Sequence, residues 1–135
     1  MKYRTRRKIA YVSKTATANA DTKLHDISIS GKLVDIILST YNNDNAREGK
    51  IKIEIDGTTI IDETLQNIRG VYNDSEHGEV GAKCTFFEDD RTNYRFGYYI
   101  GMDSHVLQNF KVYFTETQGA TNIQVRCLVV YDEYY

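Results

Sequence analysis

The chain contains no proline and no tryptophan, and its 135 residues include only two cysteines. Without proline, sheet edges must be guarded by charge, by bulges or by partner subunits. Cys84 and Cys127 are too few for a disulfide framework. Both lie in strand-like segments, so two buried free thiols are the plain expectation and a single disulfide the alternative. No run of about 18 apolar residues exists, which excludes a transmembrane helix, and the apolar stretch near the start is too short and interrupted for a secretory signal. There is no glycine-rich phosphate loop, no GxSxG and no HExxH. His25, His77 and His105 fall in three separate segments, each expected in a loop or at the surface, and no cysteine pair has zinc-ligand spacing. The expectation is therefore no catalytic residues, no metal and no cofactor.

What the chain has is β-branched residues and tyrosine. Isoleucine, valine and threonine number 13, 9 and 13, and there are 11 tyrosines. That composition favours strands over a helical bundle. The length fits one domain, long enough to bury roughly two-thirds of its unfolded surface.

Period-two alternation places the strands. From Ser13 to Ala20 hydroxyl and amide residues alternate with alanine, which suits an edge strand. LHDISIS, residues 24–30, alternates again and Gly31 breaks it. In KLVDIILST, residues 32–40, Val34, Ile36 and Leu38 form the expected core face, with Leu33, Asp35, Ile37 and Ser39 opposite. KIKIEI, residues 50–55, is the clearest half-buried strand, and Asp56-Gly57 after it is a strong hairpin signal. Residues 64–79 could hold one helical turn and a polar loop. VGAKCTFF, residues 80–87, and YRFGYYIGM, residues 94–102, follow, with Gly97 marking a bulge or close packing. VLQNFKVYFT, residues 106–115, and IQVRCLVVY, residues 123–131, are expected to pair as a hairpin. About eight or nine antiparallel strands point to an all-β sandwich or barrel.

Charge is unevenly spread. Lys2, Arg4, Arg6, Arg7 and Lys8 place five of the 17 basic residues in the first eight positions, with no carboxylate among them. The body then carries a charge of −7 within a total of −2. Residues 1–8 are expected to be a basic arm on a domain spanning residues 9–135. Such an arm suits an acidic partner surface, including a neighbouring copy, or simply aids solubility. Nucleic acid is disfavoured by the acidic body. The carboxylate pairs Asp62-Glu63, Asp89-Asp90 and Asp132-Glu133 are expected in solvated turns, as is Asp103-Ser104-His105. Asn42-Asn43-Asp44-Asn45 and Glu88-Asp89-Asp90 carry oxygen ligands suited to calcium, but neither matches the EF-hand spacing. Tyr94, Tyr98 and Tyr99 form one aromatic cluster, and Tyr131, Tyr134 and Tyr135 another. These six are the expected interface or ligand-stacking residues, set against ordinary strand packing.

Three features together resemble a known group: the Thr/Ala-rich opening strand, the run from Glu48 to Asp56-Gly57, and the Asn109–Phe114 and Thr121–Arg126 segments before a Val-Val-Tyr finish. The layout is similar to the β-sandwich and jelly-roll virion proteins of tailed bacteriophages, which include capsid decoration, head-fibre and tail or receptor-binding types. The resemblance implies a jelly-roll-like sandwich with a non-enzymatic role in a virion. It also implies a homo-oligomer, a trimer among the options, with other virion proteins as partners. The basic segment would be a docking element. The alternatives are a module that binds carbohydrate or a receptor and a small polysaccharide-degrading enzyme.

Overall fold

The computed structural model describes residues 4–41, 49–65, 67, 82–88 and 95–135. Nine strands lie among them: β1 (Thr5–Thr15), β2 (Asp21–Ser28), β3 (Gly31–Tyr41), β4 (Lys50–Ile55), β5 (Thr58–Thr64), β6 (Ala82–Glu88), β7 (Arg95–Val106), β8 (Asn109–Thr115) and β9 (Gln124–Tyr134). They form a five-stranded sheet in the order β1-β9-β3-β7-β6 and a four-stranded sheet in the order β2-β8-β4-β5.

The pairing is nested. β1 pairs with β9, β2 with β8, β3 with β7 and β4 with β5, all antiparallel. It is as though one long hairpin, with its tip at Asp56-Gly57, had been rolled so that successive strands fall in alternate sheets. That is a jelly roll, with β6 added beyond β7. The tip is a two-residue turn in which Asp56 has φ 52° and Gly57 φ 81°, the paired positive values that a hairpin of this kind requires.

The core lies between the sheets. Leu33, Ile36 and Leu38 of β3, Tyr98 and Ile100 of β7 and Val125, Cys127 and Val129 of β9 meet Ile51 and Ile53 of β4 and Phe110, Val112 and Phe114 of β8, all wholly buried. The alternations expected for KIKIEI, for the Phe110 set and for the Ile123 set hold in the strands. Cys127 is an unpaired buried thiol, and its loss of hydration pushes its pKa up to about 12. The side chain of Cys84 lies outside the described residues.

Several expectations are corrected. β8 and β9 do not form a hairpin: β8 lies between β2 and β4, and β9 between β1 and β3. Alternation tells which side of a strand is buried, not which sheet it joins. Leu33 faces the core together with Ile36 and Leu38, because β3 carries a bulge between Leu33 and Asp35 that shifts the alternation by one. Asp103-Ser104-His105 is not a turn but part of β7, where Asp103 sits at φ 44° and its carboxylate meets Lys32 at 3.1 Å. Asp62-Glu63 and Asp132-Glu133 lie in β5 and β9 rather than in turns. His25 is buried in β2, not superficial.

The expected boundary between residues 8 and 9 falls inside β1. The described part of the basic segment is an edge strand, paired from Thr5 opposite Tyr134 to Thr15 opposite Gln124 without a break. The helical turn considered for residues 64–79, the Asn42–Asn45 loop, Asp89-Asp90, His77, Lys2 and Tyr94 lie outside the described residues or largely so.

Candidate assembly surface

β1 is held where it is by charge as well as by its ladder. The Arg7 guanidinium grips Asp132 with two parallel bonds, Nε to Oδ1 at 2.9 Å and Nη2 to Oδ2 at 3.1 Å. The Lys8 ammonium meets Glu133 at 2.7 Å. The Arg6 guanidinium stacks 4.5 Å from the centre of the Tyr135 ring. These contacts hold the Asp132 and Glu133 carboxyls below their usual range, each chiefly through its hydrogen bond from the basic partner. Residues that the sequence separates into a basic arm and an acidic tail are thus cross-strand neighbours.

Register then defines the outer face of the five-stranded sheet. Directly opposed residues share a face. One row runs Tyr11–Leu128–Ile37–Tyr99 and the next Ile9–Val130–Asp35–Gly101. Ile9 and Tyr11 are 64% and 61% exposed, and Ile37 43%. Arg7, Asp132 and Lys32 border this apolar band on one side, and Ser13, Arg126 and Ser39 on the other. Inside it, the Tyr99 hydroxyl donates to Asp35 Oδ1 at 2.5 Å, and that bond raises the Tyr99 pKa.

Five of the six tyrosines singled out from the sequence are described, and they do not gather here. Tyr98 is core, wholly buried, with its hydroxyl donating to the Leu65 carbonyl at 3.1 Å. Tyr131 packs edge-on against Phe110, centroids 5.8 Å apart. Tyr134 approaches His105 Nδ1 at 3.4 Å, and Tyr135 lies under Arg6. Of the five that are described, only Tyr99 stands in the outer band. Arg4 is exposed at its end of β1, beside Arg6, Arg7 and Lys8.

The sequence reading missed Ile9, Tyr11, Leu128 and Val130 as surface residues. Their signal was present: IAYV, IIL and LVV place apolar side chains on both faces of three strands that turn out to be neighbours, the pattern of two-sided cover.

Two carboxylates have structural tasks. Asp56 accepts from the amides of Leu107, Gln108 and Asn109 at 2.9, 2.7 and 3.1 Å, tying the β4–β5 turn to the β7–β8 turn and lowering its own pKa. Glu116 is buried, which alone would raise its pKa. Bonds from the amides of Asn19, Gln118, Ala120 and Gly119 outweigh that and lower it. Among the described residues no group of three or more His, Cys, Asp or Glu could hold a metal ion.

The sequence matches no protein-family model and no curated protein. Solved structures match it in fold. The PBCV-1 virus capsid aligns at TM-score 0.50 and 15% identity, over 100% of this chain and 44% of the other. The STIV MCP aligns at TM-score 0.50 and 9% identity, over 96% of this chain and 49% of the other. A chain of the cyanophage Pam1 capsid aligns at TM-score 0.46 and 8% identity, over 97% and 86%. The chain therefore spans less than half the length of the first two. At such identities the first two likenesses show the fold alone, the jelly roll already traced from the strand pairing.

Proposed function

We propose that this chain is a non-enzymatic structural protein of a virion, placed on a capsid or tail as a decoration or minor structural component and acting by protein–protein contact. The observation that carries this reading is the outer face of the five-stranded sheet: an apolar band on a jelly roll, with an unbroken edge strand beside it. The capsid-like fold supports it. The carboxylates support it too: Asp62, Asp103, Asp132 and Glu133 meet lysine or arginine, Asp35 accepts from the Tyr99 hydroxyl, and Asp56 accepts from backbone amides. We take the chain to be a homo-oligomer that also contacts other virion proteins. The basic residues favour protein over nucleic acid as partner, because Asp132 and Glu133 already face Arg7 and Lys8.

The test is to purify particles from the source on a density gradient and search them for peptides of this chain. The chain is expected to co-sediment with particles and to stay with them through high-salt washing. Recovery only in the soluble fraction would overturn the reading.

A further inference from the structure

Each sheet has two edges, and three of the four are interrupted. β2 carries one extra residue at Leu24, between the pairs Lys23–Tyr113 and His25–Val112. β5 carries one at Ile60, between Ile61–Ile53 and Thr59–Glu54. β6 carries one at Thr85, between Cys84–Tyr98 and Phe86–Gly97. Such bulges twist an edge away from further pairing. Among the described residues β1 has none, and at 11 residues it is also the longest edge strand. Among the described residues it pairs with β9 alone.

The open side of β1 can be read from its ends. The Arg4 carbonyl accepts from the Tyr135 amide at 3.0 Å, and the Ala16 amide donates to the Ile123 carbonyl at 2.9 Å. Even-numbered residues therefore spend their backbone groups on β9. In an antiparallel ladder the alternate residues point the other way, so Thr5, Arg7, Ile9, Tyr11, Ser13 and Thr15 aim theirs at the open edge. Ile9 and Tyr11, two of the most exposed large apolar residues, lie within that set.

Resting on the reading of the chain as an assembly protein, we infer that β1 is a strand-addition site for β1 of a second copy, antiparallel about a two-fold axis at Ile9. That register sets Ile9 against Ile9 and Arg7 against Tyr11 of the other copy, a cation over an aromatic ring. On the opposite side of the strand it sets Arg6 against Val12 and Lys8 against Ala10. Among directly opposed residues only Arg4 and Lys14, at the ends, bring like charges together, and the two Lys8 side chains lie diagonally across the axis. Shifting the axis to Ala10 would oppose Arg6 and Lys14 within the strand, which disfavours it. The pairing joins two five-stranded sheets into one of ten, and the outer apolar bands become continuous. An isologous contact of this kind closes as a dimer. An acidic strand from another protein would satisfy the same edge by charge, but it would leave Ile9 and Tyr11 without an apolar counterpart of their own kind.

Sedimentation velocity of the full chain, at rising protein and salt concentrations, is the first measurement. A dimer that tightens with salt is expected, since salt screens repulsion between two basic edges. Ile9→Pro removes an amide donor from the open edge alone and leaves the β9 ladder intact. Ile9→Lys adds like charge at the axis. Each is expected to weaken the dimer by roughly tenfold or more with no change in far-UV circular dichroism. Under oxidation Ile9→Cys is expected to form a covalent dimer, and Tyr11→Cys, which faces Arg7 and not itself, is not.

A monomer at all concentrations would overturn the inference. So would a dimer indifferent to Ile9→Lys, or equal cross-linking of the two cysteine variants. Salt-weakened capture of the chain by a different acidic protein, with no dimer, would overturn it in favour of that other occupant. Any of these outcomes leaves particle association standing, so the two readings fail separately.

Discussion

His25 is 7% exposed on β2, and its Nε2 meets the Cys127 carbonyl of the opposite sheet at 3.1 Å. A carbonyl can only accept, so the ring carries its proton on Nε2. Desolvation lowers the His25 pKa below 6.5, the Cys127 bond opposes that, and the Lys14 charge adds to it. Between the lowered folded value and the unfolded value near 6.5, the unfolded chain binds more protons, so stability falls as pH falls. The urea midpoint of the native chain is expected to drop between about pH 7.5 and 5.5, above the range where carboxylates protonate. His25→Gln keeps a donor for Cys127 and cannot titrate, so its midpoint is expected to stay flat there. Equal slopes would show that His25 is not the group responsible. At this scale the sequence was least legible. His25 sits where the β2 bulge turns both Leu24 and His25 inward, and no short pattern announces such a bulge. Tyr98 and Tyr99 look alike in sequence, yet adjacent strand residues face opposite ways, and only one of them could be exposed.

At the scale of elements, two contacts decide how strands and turns meet. An added Cβ at Gly31 would overlap the Asp132 carbonyl oxygen of β9, the strand paired with β3 there. Gly31→Ala is expected to destabilise the fold at or above the upper end of the roughly 1–3 kcal/mol typical of overpacking. Gly101→Ala makes ordinary contacts with Tyr99 and Asp35 at 3.6 and 3.9 Å and should be close to neutral. Thermal melts of the pair test this difference, and similar losses in both would contradict it. Asp56→Ala removes the acceptor for three amides of the β7–β8 turn and places alanine at a positive φ. A loss of about 1–2 kcal/mol is expected in urea unfolding, with Asp56→Asn losing less. The strands themselves were largely legible, because alternation is a local property; KIKIEI and the Phe110 and Ile123 sets are examples. Which strands pair was not. β8 and β9 are sequence neighbours in different sheets, while β1 finds its partner at the far end of the chain.

For the whole molecule, that pairing of the two ends replaces the picture of a free arm on an acidic body. Arg7 and Lys8 answer Asp132 and Glu133 across β1 and β9, and the charge imbalance along the sequence becomes a local balance in space. Removing residues 1–8 would shorten β1 and leave both carboxylates without these partners. The truncated chain is expected to melt lower than the full chain, with a gap that narrows as salt rises. An unchanged melting temperature would mean that this end of β1 contributes nothing to the fold. Composition was enough to favour strands and, in the absence of any catalytic constellation, contact over chemistry. It could not reveal the outer apolar band, which exists only once Ile9, Tyr11, Ile37, Leu128 and Val130 are brought side by side.

The central claim is that this jelly roll works as a building component of a particle. The most direct measurement is the copy number of the chain in density-purified particles, by quantitative peptide mass spectrometry against a major shell protein. The account predicts a reproducible, multiple-copy stoichiometry that survives high-salt washing. A chain absent from the particles, or present only in traces that wash away, would contradict it.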